Sequence, residues 1–145
     1  LLGVVGLVKT AWQGRSRLSA KTTFQNGRLL QPHGIRYTKP IIVLIDEMSG
    51  SGGDAFPAMM QGLGHTLMGN RTMGAGGHVT PMPNLNYSSN RVNMTKSLFF
   101  RPDGVEVENN GAVPTIAYQP TRDDFLYQYR SYQKRYLEEL AKLIH

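Results

Sequence analysis

Ser51 is the side chain of this sequence best placed to do chemistry. It stands in Asp46-Glu47-Met48-Ser49-Gly50-Ser51-Gly52-Gly53-Asp54, directly after the most hydrophobic run of the chain, Ile41-Ile42-Val43-Leu44-Ile45. A strand that breaks into a Ser/Gly turn and then opens a helix presents a hydroxyl at the helix mouth. The glycines bare backbone N–H groups, and the helix N-terminus adds partial positive charge where an oxyanion would form. Nucleophilic attack on a carbonyl suits such an arrangement, with Gly52 and Gly53 as candidate oxyanion-hole amides. The plainer reading is a helix cap, because Ser51-x-x-Asp54 fits the capping-box pattern. Against it, each glycine in the first turn weakens a helix by up to ~1 kcal/mol and gives a plain cap nothing in return. The G-x-S-x-G spacing of a nucleophile elbow is one residue short here. A Walker phosphate loop is excluded, since no Gly-Lys-Ser/Thr follows. An anion-binding loop without catalysis stays open.

A nucleophilic serine needs a base. The chain holds His33, His65, His78 and His145. His145 ends the chain, His65 follows the helix on the side away from Ser51, and His33 lies in the loop before the strand. His78 follows Gly74-Ala75-Gly76-Gly77, a loop able to fold back over the serine, and is the candidate base among them. For each histidine a structural hydrogen-bonding role stands ahead of a catalytic one. Glu108, in Val105-Glu106-Val107-Glu108-Asn109-Asn110-Gly111-Ala112-Val113-Pro114, reads from spacing as a strand carboxylate beside an Asn-Gly turn.

The elements that must hold these residues fit one modest domain of 145 residues. Without cysteine there are no disulfides, no zinc–thiolate site and no thiol nucleophile. No apolar run reaches the ~20 residues that span a bilayer. The opening Leu1–Val8 run lacks a basic leader and does not read as a signal peptide; with no initiator Met, the chain reads as a piece of something longer. Residues 1–40 carry Lys9, Arg15, Arg17, Lys21, Arg28, Arg36 and Lys39 and no acidic residue. Their dispersal and the lack of a binding motif argue against nucleic acid. The segment reads as a solvated basic stretch that packs against missing upstream chain, ahead of a second part at 41–145. Asn70-Arg71-Thr72, Asn86-Tyr87-Ser88 and Asn93-Met94-Thr95 are glycosylation sequons that decide nothing about compartment.

Residues 1–20 suggest an amphipathic helix or a strand remnant, and 21–39 irregular chain or a short hairpin around Thr23, Asn26, Gly27 and Pro32. The continuous apolar run predicts a buried strand at 41–46, as in a parallel sheet. A helix is expected at 52–63, with Phe56, Met59, Met60 and Leu63 on one face, Pro57 in its first turns and Gly62 and Gly64 ending it. Short strands are expected at 65–68, 91–100 and 105–108, and a glycine-rich loop at 69–77. One long helix is predicted from Thr121 to the end, opened by a Thr121/Asp124 capping box, with Phe125, Tyr129, Tyr132, Tyr136, Leu140 and Leu143 along one stripe. The strand–helix–strand order argues for an α/β fold.

Four motifs in order resemble the serine peptidases of the C-terminal-processing and tricorn-core group, the tail-specific proteases. They are Ile45-Asp46-Glu47, Ser51-Gly52-Gly53-Asp54, the loop Gly69–Gly77, and Glu108-Asn109-Asn110-Gly111-Ala112-Val113-Pro114. The likeness covers about residues 39–144, and its order is more specific than any one motif. It implies a crotonase-like α/β spiral of short strands with packed helices, and peptide-bond hydrolysis without a metal or other cofactor. Ser51 falls on the nucleophile and Gly52 on an oxyanion-hole amide. The lysine of the Ser/Lys branch would fall at Ala75, so the likeness points to the Ser/His/Glu branch, with Glu108 as the acid that steers the histidine. In that branch the histidine lies far upstream, and none of the four here matches it. The implied expectation is a C-terminal fragment, inactive alone, that needs the upstream part of the same domain and acts on protein or peptide substrates. Family resemblance leans toward an exported protein. A peptidase fold kept for binding, or an oligomeric domain presenting its Tyr-rich helix, are the competing readings.

Overall fold

The structure, a computed structural model, describes residues 2–22 and 34–144. Thr23, Asn26, Gly27, Pro32, His33 and His145 lie outside the described residues. The chain divides into two units, Leu1–Tyr37 and Thr38–His145. In the first, α1 (Leu2–Gln13) takes the helical option for the N-terminal segment. Val4, Val5, Val8 and Trp12 on it are exposed.

In the second unit, β1 (Ile42–Ile45) leads into α2 (Gly52–Gly62), which returns the chain to β2 (Thr66–Gly69). β1 pairs parallel to β2, with Ile45 opposite Gly69, and β2 pairs parallel to β5 (Ile116–Ala117), giving the order β1-β2-β5. The strand–helix–strand crossover and the parallel sheet agree with the α/β expectation. β3 (Gly77–Pro81) and β4 (Asn93–Leu98) form a separate antiparallel hairpin, with an irregularity between His78 and Val79. Ile45, Ala58, Leu67, Val107 and Ala112 cluster as the core, and Val43 and Phe99 pack against it.

Several expectations need correction. β1 is less buried than its run of branched residues suggests: Ile45 is enclosed, while Leu44 is exposed. The buried face of α2 is Asp54, Pro57 and Ala58, and Phe56, Met59 and Leu63 face outward. Periodicity finds the stripe but not which side is covered. No strand forms at 105–108; an isolated bridge joins Phe100 to Glu106, and Glu108 lies in the turn that follows. β3 and β5 were not foreseen.

The predicted long helix is two helices, α3 (Arg122–Leu126) and α4 (Arg130–Lys142). The expected capping box is present, with Thr121 and Asp124 bonding reciprocally. The same Asp124 bridges the break. Its Oδ2 accepts from Thr121 N, Thr121 Oγ1 and the Tyr118 hydroxyl, each at 2.8 Å, while Oδ1 accepts from the Tyr132 amide at 3.0 Å. That last donor belongs to the first turn of α4. Gln128 and Tyr129 take φ +58° and +59° to let the chain turn there. Tyr132 stacks at 4.6 Å on Tyr118 and meets Tyr136 edge-on, so part of the aromatic stripe does pack.

Candidate active site

The loops after β1 and β2 leave the same end of the parallel sheet, its carboxyl end, where open α/β sheets present their ligand sites. Ser51 sits in the first of these loops, as the residue before α2. Its backbone has φ +56° and ψ −110°, a region that costs a residue with a Cβ about 1–3 kcal/mol. Its carbonyl accepts from the amides of Asp54 (3.0 Å) and Ala55 (2.9 Å), so the backbone starts the helix. The exposed side chain makes no capping hydrogen bond. An ordinary cap has extended backbone and an engaged side chain. Ser51 has neither, and the capping-box reading of Ser51 and Asp54 does not hold.

The two candidate amides differ. Gly53 N donates to Gly50 O at 2.8 Å. Gly52 N has no acceptor among the described residues, and a Cβ built on Gly52 would meet nothing within 4 Å. The open donor is therefore the one next to Ser51.

Asp54 turns away from Ser51 and into the protein, where it is 0% exposed. One carboxylate oxygen accepts from the Thr72 hydroxyl and from Gly74 N (2.8 Å), and the other from Ala75 N (2.9 Å). Thr72 Oγ1 in turn accepts from Ala112 N at 2.7 Å, and Thr72 N donates to Ala112 O at 3.1 Å. Gly74 O accepts from Asn109 N at 2.7 Å, and Met73 N donates to Ser49 O at 2.9 Å. Arg71 Nη1 reaches the carbonyls of Asn109 (3.2 Å) and Asn110 (3.1 Å). The serine turn, the 70–77 loop and the 107–112 turn are thus laced together. Gly111 lets the last two close up: at φ +64°, a Cβ there would lie 2.6 Å from Thr72 O.

Glu108 is half-buried in that turn. Its Oε2 lies 3.1 Å from the point where a Cβ on Gly77 would sit, so the carboxylate rests against the start of β3. Side chains alternate along a strand, which sends His78 off the opposite face of the hairpin from Glu108. His78 is exposed and pairs across the strands with Ser97. His65 is half-buried and its amide closes the end of α2 on Met60 O. Among the described residues no group of three His, Cys, Asp or Glu side chains is gathered that could hold a metal ion, and no helix is long and apolar enough to cross a membrane. Sequence reasoning missed Asp54 and Thr72 as the lacing groups. The signal was an aspartate early in the helix, which the capping pattern explained away.

The family model for peptidase family S41 matches residues 6–118. An uncharacterized protein of Chlamydia muridarum is 35% identical over 141 residues, which are 94% of this chain and 23% of that protein. A Chlamydia pneumoniae protein is 38% identical over 113 residues, 75% of this chain and 18% of its own length. Among solved structures, mature CPAF superposes with a TM-score of 0.83 at 31% identity, over 96% of this chain and 27% of that one. The tricorn protease superposes with a TM-score of 0.59 at 28% identity, over 80% of this chain and 13% of that one. The chain therefore spans about a quarter or less of the proteins it matches.

Proposed function

Because this chain belongs to peptidase family S41, we propose that it is the part of a serine endopeptidase's catalytic domain that carries the nucleophile, Ser51, and the acid, Glu108, within a crotonase-like spiral. The observation that carries the reading is the Ser51 turn itself: an uncapped, exposed hydroxyl held at positive φ beside an open Gly52 amide. In the mechanism, a histidine takes the Ser51 proton as Oγ attacks the scissile carbonyl carbon. The Gly52 amide, aided by the partial charge of the α2 N-terminus, holds the resulting oxyanion. Since Gly53 N already bonds Gly50 O, Gly53 contributes through the helix start and not as a direct donor. The histidine then protonates the leaving amine, and water releases the acyl-enzyme.

Glu108 orients the histidine. His78 leaves the other face of β3, Ala75 stands where the Ser/Lys branch has its base, and the family likeness puts the histidine upstream, in chain outside residues 1–145. Substrates are proteins or peptides, and the chain as given is inactive. The test is labelling with a fluorophosphonate probe. The full-length protein should label at Ser51, lose the label in Ser51→Ala, and keep folding. The 145-residue chain should not label. A full-length protein that stays unlabelled removes the peptidase reading, and labelling of the isolated chain at Ser51 removes the requirement for an outside base.

A further inference from the structure

We infer that Asp54 and Thr72 form a positioning pair that sets the Ser51 turn relative to the Glu108 turn, an inference that rests on the peptidase reading above. Asp54 is bound at both ends. Its amide holds the Ser51 carbonyl at 3.0 Å, and its carboxylate holds the Thr72 hydroxyl and the amides of Gly74 and Ala75. Two short paths run on from there. One passes through Thr72 Oγ1 to the Ala112 amide at 2.7 Å, and the other through Gly74 O to the Asn109 amide at 2.7 Å, next to Glu108.

The chemistry of the pair leaves little slack. A hydroxyl has one proton to give, and Thr72 gives it to Asp54 while accepting from Ala112. All three donors aimed at the carboxylate need acceptors, which a carboxylate supplies and a carboxamide cannot: in Asp54→Asn the new NH2 must face at least one N–H or O–H donor. Asp54 and Thr72 are each fully buried, so water cannot repair the mismatch.

The experiment uses the full-length protein and measures the fluorophosphonate labelling rate at Ser51 together with kcat and KM on a peptide substrate. Each variant is also melted, and rates are read below the onset of unfolding. Asp54→Asn and Thr72→Val should each slow labelling and lower kcat by about 10²-fold with KM little changed, the scale expected for a misplaced reacting group. Thr72→Ser, which keeps the hydroxyl, should restore the parent rate. Folded Asp54→Asn and Thr72→Val proteins that label at the parent rate would overturn the inference. So would a Thr72→Ser protein as slow as Thr72→Val, since packing and not the hydroxyl would then matter. Failure of the unmutated protein to label is a separate result: it removes the peptidase reading and this inference with it.

Discussion

Ser51 holds φ +56° at the mouth of α2, a conformation that costs any residue with a Cβ. Glycine adopts positive φ without the penalty a Cβ brings, so Ser51→Gly should raise the stability of the isolated chain by about 1 kcal/mol relative to Ser51→Ala. Chemical denaturation of the two variants checks this; equal midpoints would mean the turn is unstrained. Arg71 offers a milder case. Its guanidinium spans two carbonyls of the Glu108 turn from an exposed position. Arg71→Ala should lower stability by about 1 kcal/mol and leave the buried Asp54 contacts in place, a difference that hydrogen exchange at Gly74 and Ala75 would reveal. At this scale the sequence was informative where spacing is local. Ser51 stands out from its own neighbours, whereas Glu108 reads from spacing as an ordinary strand carboxylate and is singled out only through the family resemblance. The work of Asp54 was not legible, because its partners lie 18 to 21 residues away and a nearer explanation was on offer.

At the scale of elements, one carboxylate joins the two C-terminal helices. Asp124 caps α3 and also receives an amide from the first turn of α4. Nothing in Gln128-Tyr129 announces a break: there is no glycine or proline, and the positive φ there accompanies that longer-range bond. This is why a helical period running through Tyr129 misled. Hydrogen bonds from Thr121, opposed by burial and joined by those from Tyr118 and Tyr132, hold the Asp124 carboxyl below its usual range. A group whose pKa is depressed on folding stabilises the protein above its unfolded value, near 3.9, and that stabilisation is lost as pH falls through the folded value. Lowering pH below about 4 should therefore loosen the α3–α4 junction, and Asp124→Asn should flatten the fall of Tm with pH across that range. Glu139, held down by Lys142 and Arg135, adds to the same slope from within α4, so Asp124→Asn should reduce the slope without abolishing it. An unchanged slope would mean that the carboxylate plays no part in joining the helices.

For the chain as a whole, the second unit is rich in uncovered apolar side chains. Leu44, Met48, Phe56, Met59 and Leu63 are all exposed around β1 and α2, against a core of few residues. Patches of this kind favour association. The isolated chain should sediment faster as its concentration rises, and Phe56→Glu with Met59→Glu should reverse this while helix content is kept. A single concentration-independent species would count against it. The α/β class was readable because a continuous apolar run, a helix and a second strand follow one another in order. The covered face of each element was not readable, since that depends on neighbours that no local pattern describes.

The turn at Ser51 also has a consequence for how the chain changes over generations. A serine codon of the AGT or AGC type is one base from glycine, and the positive φ of Ser51 should make that step run downhill in folding free energy. A lineage that used the domain only to hold partners would gain by taking it. Under the peptidase proposal, the hydroxyl is kept there against that gradient because the reaction depends on it.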